Sequence, residues 1–469
     1  MRNQVEFYRD PRVRERIAQY CGGFAGDPQS FTAEYLVGYG ESLQWEKAYP
    51  EGFVSLPKKG FLWILEKGLD IFRSNWDRES TLGILDIEYF NIDFPGEPYA
   101  HPRKTFEKLG PLYQAILKVF SRFGINPLVI MTGQGYHFST RASRRTKTEL
   151  KLEGLGKIPP SLKGKYASSG PRRPRYVSYR HGKAFEGMGR LMEYLTHLIL
   201  QEAAGSRSLP VVTTDVAIGR GRLGREAISI DLSMYGDPLY MRDIRCPFSS
   251  YQKHKVERHK AGEDLARHFP IQVALPRGDL GLDDLFQMRF NFQKAADYAA
   301  QVETKIPECS SGFEKLIEAY QAAPLYHFHL AFAQEEHDPP EVWNRTYDAF
   351  NYNLLPPCVN HCLKFPNDHL LKPTNIQLLT RVLMKLGWHP KHIAGLIRSK
   401  FERDYGWGNI WMRYDATSRA NFYVRLFAGL LATGLDGEKD LNCLSHQEKG
   451  YCWQPSCGFN LADYNFYKK

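Results

Sequence analysis

The amino-acid sequence predicts an α+β protein in which helices pack against an antiparallel sheet, followed by a mostly helical final domain. Three observations carry this. Apolar runs of strand length alternate with helically spaced segments through the first half of the chain. Beyond residue 280 the apolar spacing is mainly helical. Five of the eight cysteines (Cys358, Cys362, Cys443, Cys452 and Cys457) lie in the last quarter, setting that region apart in kind. With 469 residues the chain is long enough for two to four domains, at roughly 150 residues each.

Taken in order, residues 1 to about 80 read as helical and mixed, with 61–72 the clearest apolar-periodic piece. Strand-like runs follow at 81–93, 126–132, 136–140 and 227–235, the last paired with 211–218. Between them, 111–123 and 184–204 have helical spacing, as do 375–386 and 422–431 later on. Pro356-Pro357 ends any preceding helix and marks a boundary. The expected domains are 1–280, a helical connector over 281–345, and a cysteine-bearing domain over 346–469. There is no internal repeat and no long low-complexity tract.

The composition, 43% hydrophobic and 24% charged, is that of a globular protein, and no apolar stretch approaches a bilayer span. The first residues lack the apolar core of a signal peptide, so an intracellular, reducing, cytoplasmic location without membrane attachment is expected. The net charge of +10 is unevenly spread: residues 141–190 hold fourteen Lys or Arg against three Glu. A surplus confined to one Arg-, Gly- and Pro-rich segment suggests a polyanion-binding arm or loop, or a solvated insertion. Arg144, Arg145, Arg172, Arg173 and Arg175 are its candidate nucleic-acid contacts, with Tyr166, Tyr176 and Tyr179 interleaved for stacking on bases. Clustered cysteines in a long chain without a leader point to reduced thiols holding a metal rather than to a disulfide framework.

Three constellations carry chemistry. Leu82-Gly83-Ile84-Leu85-Asp86-Ile87-Glu88-Tyr89-Phe90 is an apolar strand with two acids two positions apart. Strand side chains alternate, so both carboxylates project from one face, about 7 Å apart, where they could serve a shared pair of divalent cations. The plainer alternative is a half-exposed strand with two solvated acids. Thr132-Gly133-Gln134-Gly135-Tyr136-His137-Phe138 is a glycine turn that brings His137 into a second strand, suited to contacting phosphate. Ile228-Ser229-Ile230-Asp231-Leu232 ends a strand in one acid, and Arg245, Ser249 and Lys253 follow within Arg245-Cys246-Pro247-Phe248-Ser249-Ser250-Tyr251-Gln252-Lys253.

In this order the three resemble the archaeo-eukaryotic primase superfamily, specifically its small catalytic subunit, over roughly residues 60–260. The resemblance implies an RRM-like catalytic core. It makes Asp86, Glu88 and Asp231 the catalytic, metal-binding acids for Mg²⁺ or Mn²⁺. His137, Gly133, Gly135, Arg245, Ser249 and Lys253 become the nucleotide site. The first motif is Asp-x-Glu where many members have Asp-x-Asp, and Tyr251 stands where the family often has histidine. Residues 350–460 resemble, more loosely, the C-terminal iron–sulfur domain of the primase large subunit. Carried over, Cys358, Cys443, Cys452 and Cys457 would hold a [4Fe–4S] cluster, with a Zn²⁺ site that recruits Cys362 or His446 as the alternative.

The function implied is that of a DNA-directed primase or primase-polymerase, making primers on single-stranded DNA from nucleoside triphosphates. The C-terminal domain would assist initiation, and a replicative helicase or polymerase would be a further partner. The alternatives are a primer-dependent gap-filling or translesion polymerase, a non-catalytic single-stranded nucleic-acid binder, and a metal-dependent nuclease.

Overall fold

The computed structural model describes residues 2–159, 162, 178–206, 208–214, 225–238, 242–365, 370, 372–401, 415–436 and 441–466. The chain falls into two compact units, Met1–Met192 with Leu239–Leu316, and Glu193–Pro238 with Ile317–Lys469. Both are assembled from separate stretches of chain. The architecture is α+β.

The strands are β1 Tyr35–Tyr39, β2 Phe53–Pro57, β3 Asp70–Ser74, β4 Ser80–Asn91, β5 Leu128–Met131 and β6 Gly135–Ser143. They continue with β7 Val211–Thr213, β8 Glu226–Asp231, β9 Asp243–Arg245, β10 Ser250–Tyr251, β11 Gln272–Val273 and β12 Leu275–Pro276. In the first unit, four strands run β12-β5-β6-β4, four more run β2-β1-β3-β9, and β10 pairs with β11; every pairing among them is antiparallel. The helix Pro102–Arg122 covers one face of the β5–β6–β4 layer. Phe106 meets Tyr136 at 5.1 Å between ring centroids, Tyr113 meets Tyr136 at 4.8 Å, and Phe120 meets Phe138 at 6.2 Å. Tyr136 and Phe138 therefore face the helix, and alternation sends His137 to the opposite face.

Several expectations need correction. The 61–72 segment is not one helix. Phe61–Glu66 is helical, and Gly68 then takes a left-handed φ of 64°. Its amide donates to the Leu65 carbonyl (3.0 Å) and that of Leu69 to Ile64 (3.2 Å), a Schellman stop that releases the chain into β3. The 111–123 helix begins earlier, at Pro102, and runs on through Pro111. The basic segment is not an arm throughout. It includes the end of β6, the helix Lys147–Leu155 and the start of the helix Tyr179–Ala203.

The second unit is mainly helical, with Pro324–Gln334, Pro357–Lys364, Pro373–Lys385, Pro390–Phe401, Ala416–Ala432 and Cys443–Glu448. Pro357 opens its helix, where a missing amide hydrogen costs nothing. The 211–218 and 227–235 strands are shorter than expected. They pair in parallel as β7 and β8, with Val212 opposite Ser229, whereas an antiparallel sheet was predicted; residues 215–218 lie outside the described residues. A buried ionic cluster pins this unit. Glu193 accepts from Arg425 Nε (3.2 Å) and lies 3.0 Å from His329 Nε2, whose Nδ1 is 2.6 Å from the Tyr320 hydroxyl. Arg425 and His329 hold the Glu193 carboxyl down at about 2 against the burial that would raise it. Among the described residues no helix is long and apolar enough to cross a membrane.

Candidate functional site

The β4–β6 register sets Asp86 opposite His137 and Glu88 opposite Gly135. Cross-strand partners share a face, so Asp86, Glu88 and His137 project together, away from the helix that covers Tyr136. His137 Nε2 lies 3.3 Å from Asp86 Oδ1. His137 is 9% exposed, and its Nδ1 is buried without a hydrogen-bond partner among the described residues. Burial, with help from Arg245 and Lys253, lowers this imidazole to about 3, so it is neutral at physiological pH.

Lys253 approaches from the start of a short helix. Its Nζ donates to Gln134 Oε1 (3.0 Å) and stands 3.8 Å from Glu88 Oε1. Burial would lower the ammonium, but Glu88, Tyr99, Glu257 and Asp86 together raise it above its ordinary value. The Tyr251 hydroxyl also donates to Gln134 Oε1 (3.3 Å).

The two glycines of the turn have packing reasons. A Cβ at Gly133 would fall 2.2 Å from the Tyr251 ring, and one at Gly135 only 1.7 Å from the Ile87 carbonyl oxygen. Arg245 and Ser249 are buried and engaged within the protein. Arg245 Nη1 donates to Asp70 Oδ2 (2.7 Å) and to the Ser250 carbonyl (2.6 Å), and its guanidinium lies between the Phe72 and Tyr251 rings at 4.3 and 4.4 Å. Ser249 Oγ accepts from the Ile71 amide and donates to the Ser250 carbonyl. Asp70, fully buried, also accepts from Ser250 Oγ and the Gln252 amide. This network seats the loop that carries Tyr251 and Lys253.

Asp231 belongs to the second unit, at the end of β8, where its carboxylate accepts from the Ser233 amide (2.7 Å) and hydroxyl (2.9 Å). Arg144 donates to the Arg78 carbonyl (3.1 Å) and pairs with Glu149. Arg145 keeps 84% of its side chain exposed, 3.8 Å from Glu79. Arg172, Arg173, Arg175, Tyr166 and Tyr176 lie outside the described residues.

Among the cysteines, Cys358 and Cys362 share one turn of the Pro357–Lys364 helix, and burial pushes both thiols up to about 12. Cys362, Cys452 and Cys443 also raise Cys358, so the electrostatics link thiols from three separate segments. Cys443 and Cys457 both lie 3.9 Å from the Phe459 carbonyl, and the Leu461 amide donates to Cys443 Sγ at 3.4 Å. His361 stacks on Trp453 at 3.8 Å and 14°, tying the helix to the Cys452 loop.

The donor chemistry fits two kinds of cation. Asp86 and Glu88 offer hard oxygens for Mg²⁺ or Mn²⁺, and the thiols offer soft ligands for iron or zinc. Among the described residues no three His, Cys, Asp or Glu side chains are gathered tightly enough to hold a metal ion.

Sequence reasoning missed two members of the site. Gln134 carried a signal, being the one polar side chain enclosed between the two glycines. Asp70 carried none, because its partners are some 175 residues away along the chain. No protein-family profile, curated protein or solved structure matches this chain.

Proposed function

We propose that this chain is a nucleotidyltransferase that makes primers on single-stranded DNA, with an RRM-like catalytic core in its first unit. One observation carries the reading: Asp86 and Glu88 share a face of β4 with His137, while Lys253 reaches Glu88 from a neighbouring loop. A strand bearing two solvated acids would need neither a buried imidazole against one nor an ammonium against the other.

Asp86 and Glu88 would hold the divalent cations, which when bound stabilise charge on the attacking and leaving oxygens of phosphoryl transfer. Lys253 neutralises negative charge at the same place. With substrate absent its counter-ion is Glu88, and a triphosphate supplies a denser one. His137, neutral at physiological pH, presents an N–H rather than a second full charge. Burial of these groups lowers the local dielectric and strengthens each interaction with the substrate. Cys358, Cys443, Cys452 and Cys457 would hold a [4Fe–4S] cluster, or zinc, in support of initiation.

The test is incubation with an unprimed single-stranded template, ribo- or deoxyribonucleoside triphosphates and Mg²⁺ or Mn²⁺, with products sized on a gel. New strands are expected. Products on primed templates alone would favour the gap-filling polymerase, and degradation of labelled DNA without nucleotides would favour the nuclease.

A further inference from the structure

The Lys253 ammonium can only donate, so the Gln134 side-chain atom 3.0 Å from it must be the carbonyl oxygen. The Tyr251 hydroxyl donates to the same oxygen, which fixes the amide orientation twice over. The amide nitrogen therefore points away from both, carrying two N–H donors. It has no partner among the described residues, although Gln134 is only 8% exposed. Nor is it among the side-chain atoms sealed from solvent without a partner. The accessible part of an otherwise buried side chain is thus a pre-aimed pair of donors. Its backbone is equally constrained, since the Tyr89 amide donates to the Gln134 carbonyl at 3.0 Å.

A surface glutamine would wander among rotamers and gain little from one hydrogen bond. Gln134 has lost that freedom in folding, so a ligand need not supply the ordering entropy. The cation beside it selects the kind of acceptor. Lys253 Nζ, 3.0 Å from Oε1, favours an anionic oxygen over a sugar hydroxyl or a base edge.

We infer that Gln134 is a substrate-binding residue whose amide N–H groups donate to a phosphate oxygen of the incoming nucleoside triphosphate, beside Lys253. The inference rests on the nucleotidyl-transfer reading and deepens it. Lys253 supplies charge and Gln134 supplies direction, so the pair reads both the presence and the position of the phosphate chain.

The test is direct binding of an α,β-methylene nucleoside triphosphate, which cannot be incorporated, to the full-length protein with Mn²⁺. Gln134→Glu retains the oxygen that Lys253 and Tyr251 use but replaces the N–H donors with a negative charge; Gln134→Met removes the hydrogen bonding altogether without adding charge, so the inference requires both to weaken binding. Both variants should bind about tenfold to hundredfold more weakly, as expected for a lost hydrogen bond to a charged group. The loss should vanish for the unphosphorylated nucleoside, and the melting temperature of Gln134→Glu, which keeps the acceptor for Tyr251 and Lys253, should match the wild type. Wild-type affinity in either variant would overturn the inference while leaving the transferase reading intact. An equal loss for the triphosphate and the unphosphorylated nucleoside would overturn the phosphate assignment. Failure of the wild-type protein to bind any nucleoside triphosphate would overturn the transferase reading, and with it the substrate named here.

Discussion

Gly135→Ala tests whether close approach of β4 and β6 sets the candidate site. The added Cβ would sit 1.7 Å from the Ile87 carbonyl oxygen, 2.7 Å from its carbon and 3.0 Å from the Glu88 Cα. Non-bonded contact needs about 3.5 Å, so the strands must part by nearly 2 Å, a large fraction of the roughly 4.8 Å between paired strands. The atoms in the way are backbone, which no rotamer change can clear. Overpacking alone costs about 1–3 kcal/mol. The hydrogen bonds beside it, Tyr89 amide to Gln134 carbonyl (3.0 Å) and Thr132 amide to Gly135 carbonyl (2.9 Å), add about 1 kcal/mol each when broken. The expected loss is about 3–5 kcal/mol, or roughly 10 °C in melting temperature at about 2–4 °C per kcal/mol. The assay is thermal unfolding by circular dichroism, with Gly154→Ala as control. Gly154 lies inside the Lys147–Leu155 helix, where a Cβ meets nothing within 4 Å, so that change should stabilise by about 0.5–1 kcal/mol. A Gly135→Ala protein melting within about 1 °C of wild type would refute the packing argument.

Acid should destabilise the fold well above the carboxylate range. Burial holds His137, His197 and His337 at about 3 and His181 and His254 at about 4. Unfolded, each titrates near 6.5, so between about 4 and 6.5 the unfolded chain binds more protons and stability falls as pH falls. Each histidine contributes up to about 1.4 kcal/mol per pH unit; a urea midpoint unchanged between pH 7.5 and 5.5 would contradict this. Cys358→Ser should lower the iron or zinc content of anaerobically purified protein and impair initiation more than extension, and metal-free wild-type protein would refute it. Arg145→Ala should reduce the slope of log affinity against log salt for single-stranded DNA by about 0.7, the value for one phosphate contact; an unchanged slope would remove Arg145 from the interface.

What the sequence discloses follows from the range of the forces involved. The shared face of Asp86 and Glu88 is a consequence of strand periodicity alone and is legible without any partner. That His137 lies across from Asp86 rather than one residue along is a matter of register, set by pairing between distant segments. The Gly68 stop was visible as a glycine at the end of an apolar period, yet apolar residues on both sides let one helical run absorb it. β1 and β2 were illegible as strands because each spans five residues and takes its order from pairing with each other and β3. Arg245 reads as a phosphate ligand in sequence, and only the fold reveals its buried carboxylate partner Asp70. Gln134 illustrates the converse, a neutral residue given a direction by Lys253 and Tyr251 from 119 and 117 positions away.

The most direct measurement is nucleotide incorporation by the Asp86→Asn protein on an unprimed single-stranded template, beside template affinity in the same preparation. The variant should lose incorporation entirely while binding the template as well as the wild type or slightly better, since a negative charge has been removed. Normal strand synthesis by the Asp86→Asn protein would contradict the transferase account at its centre.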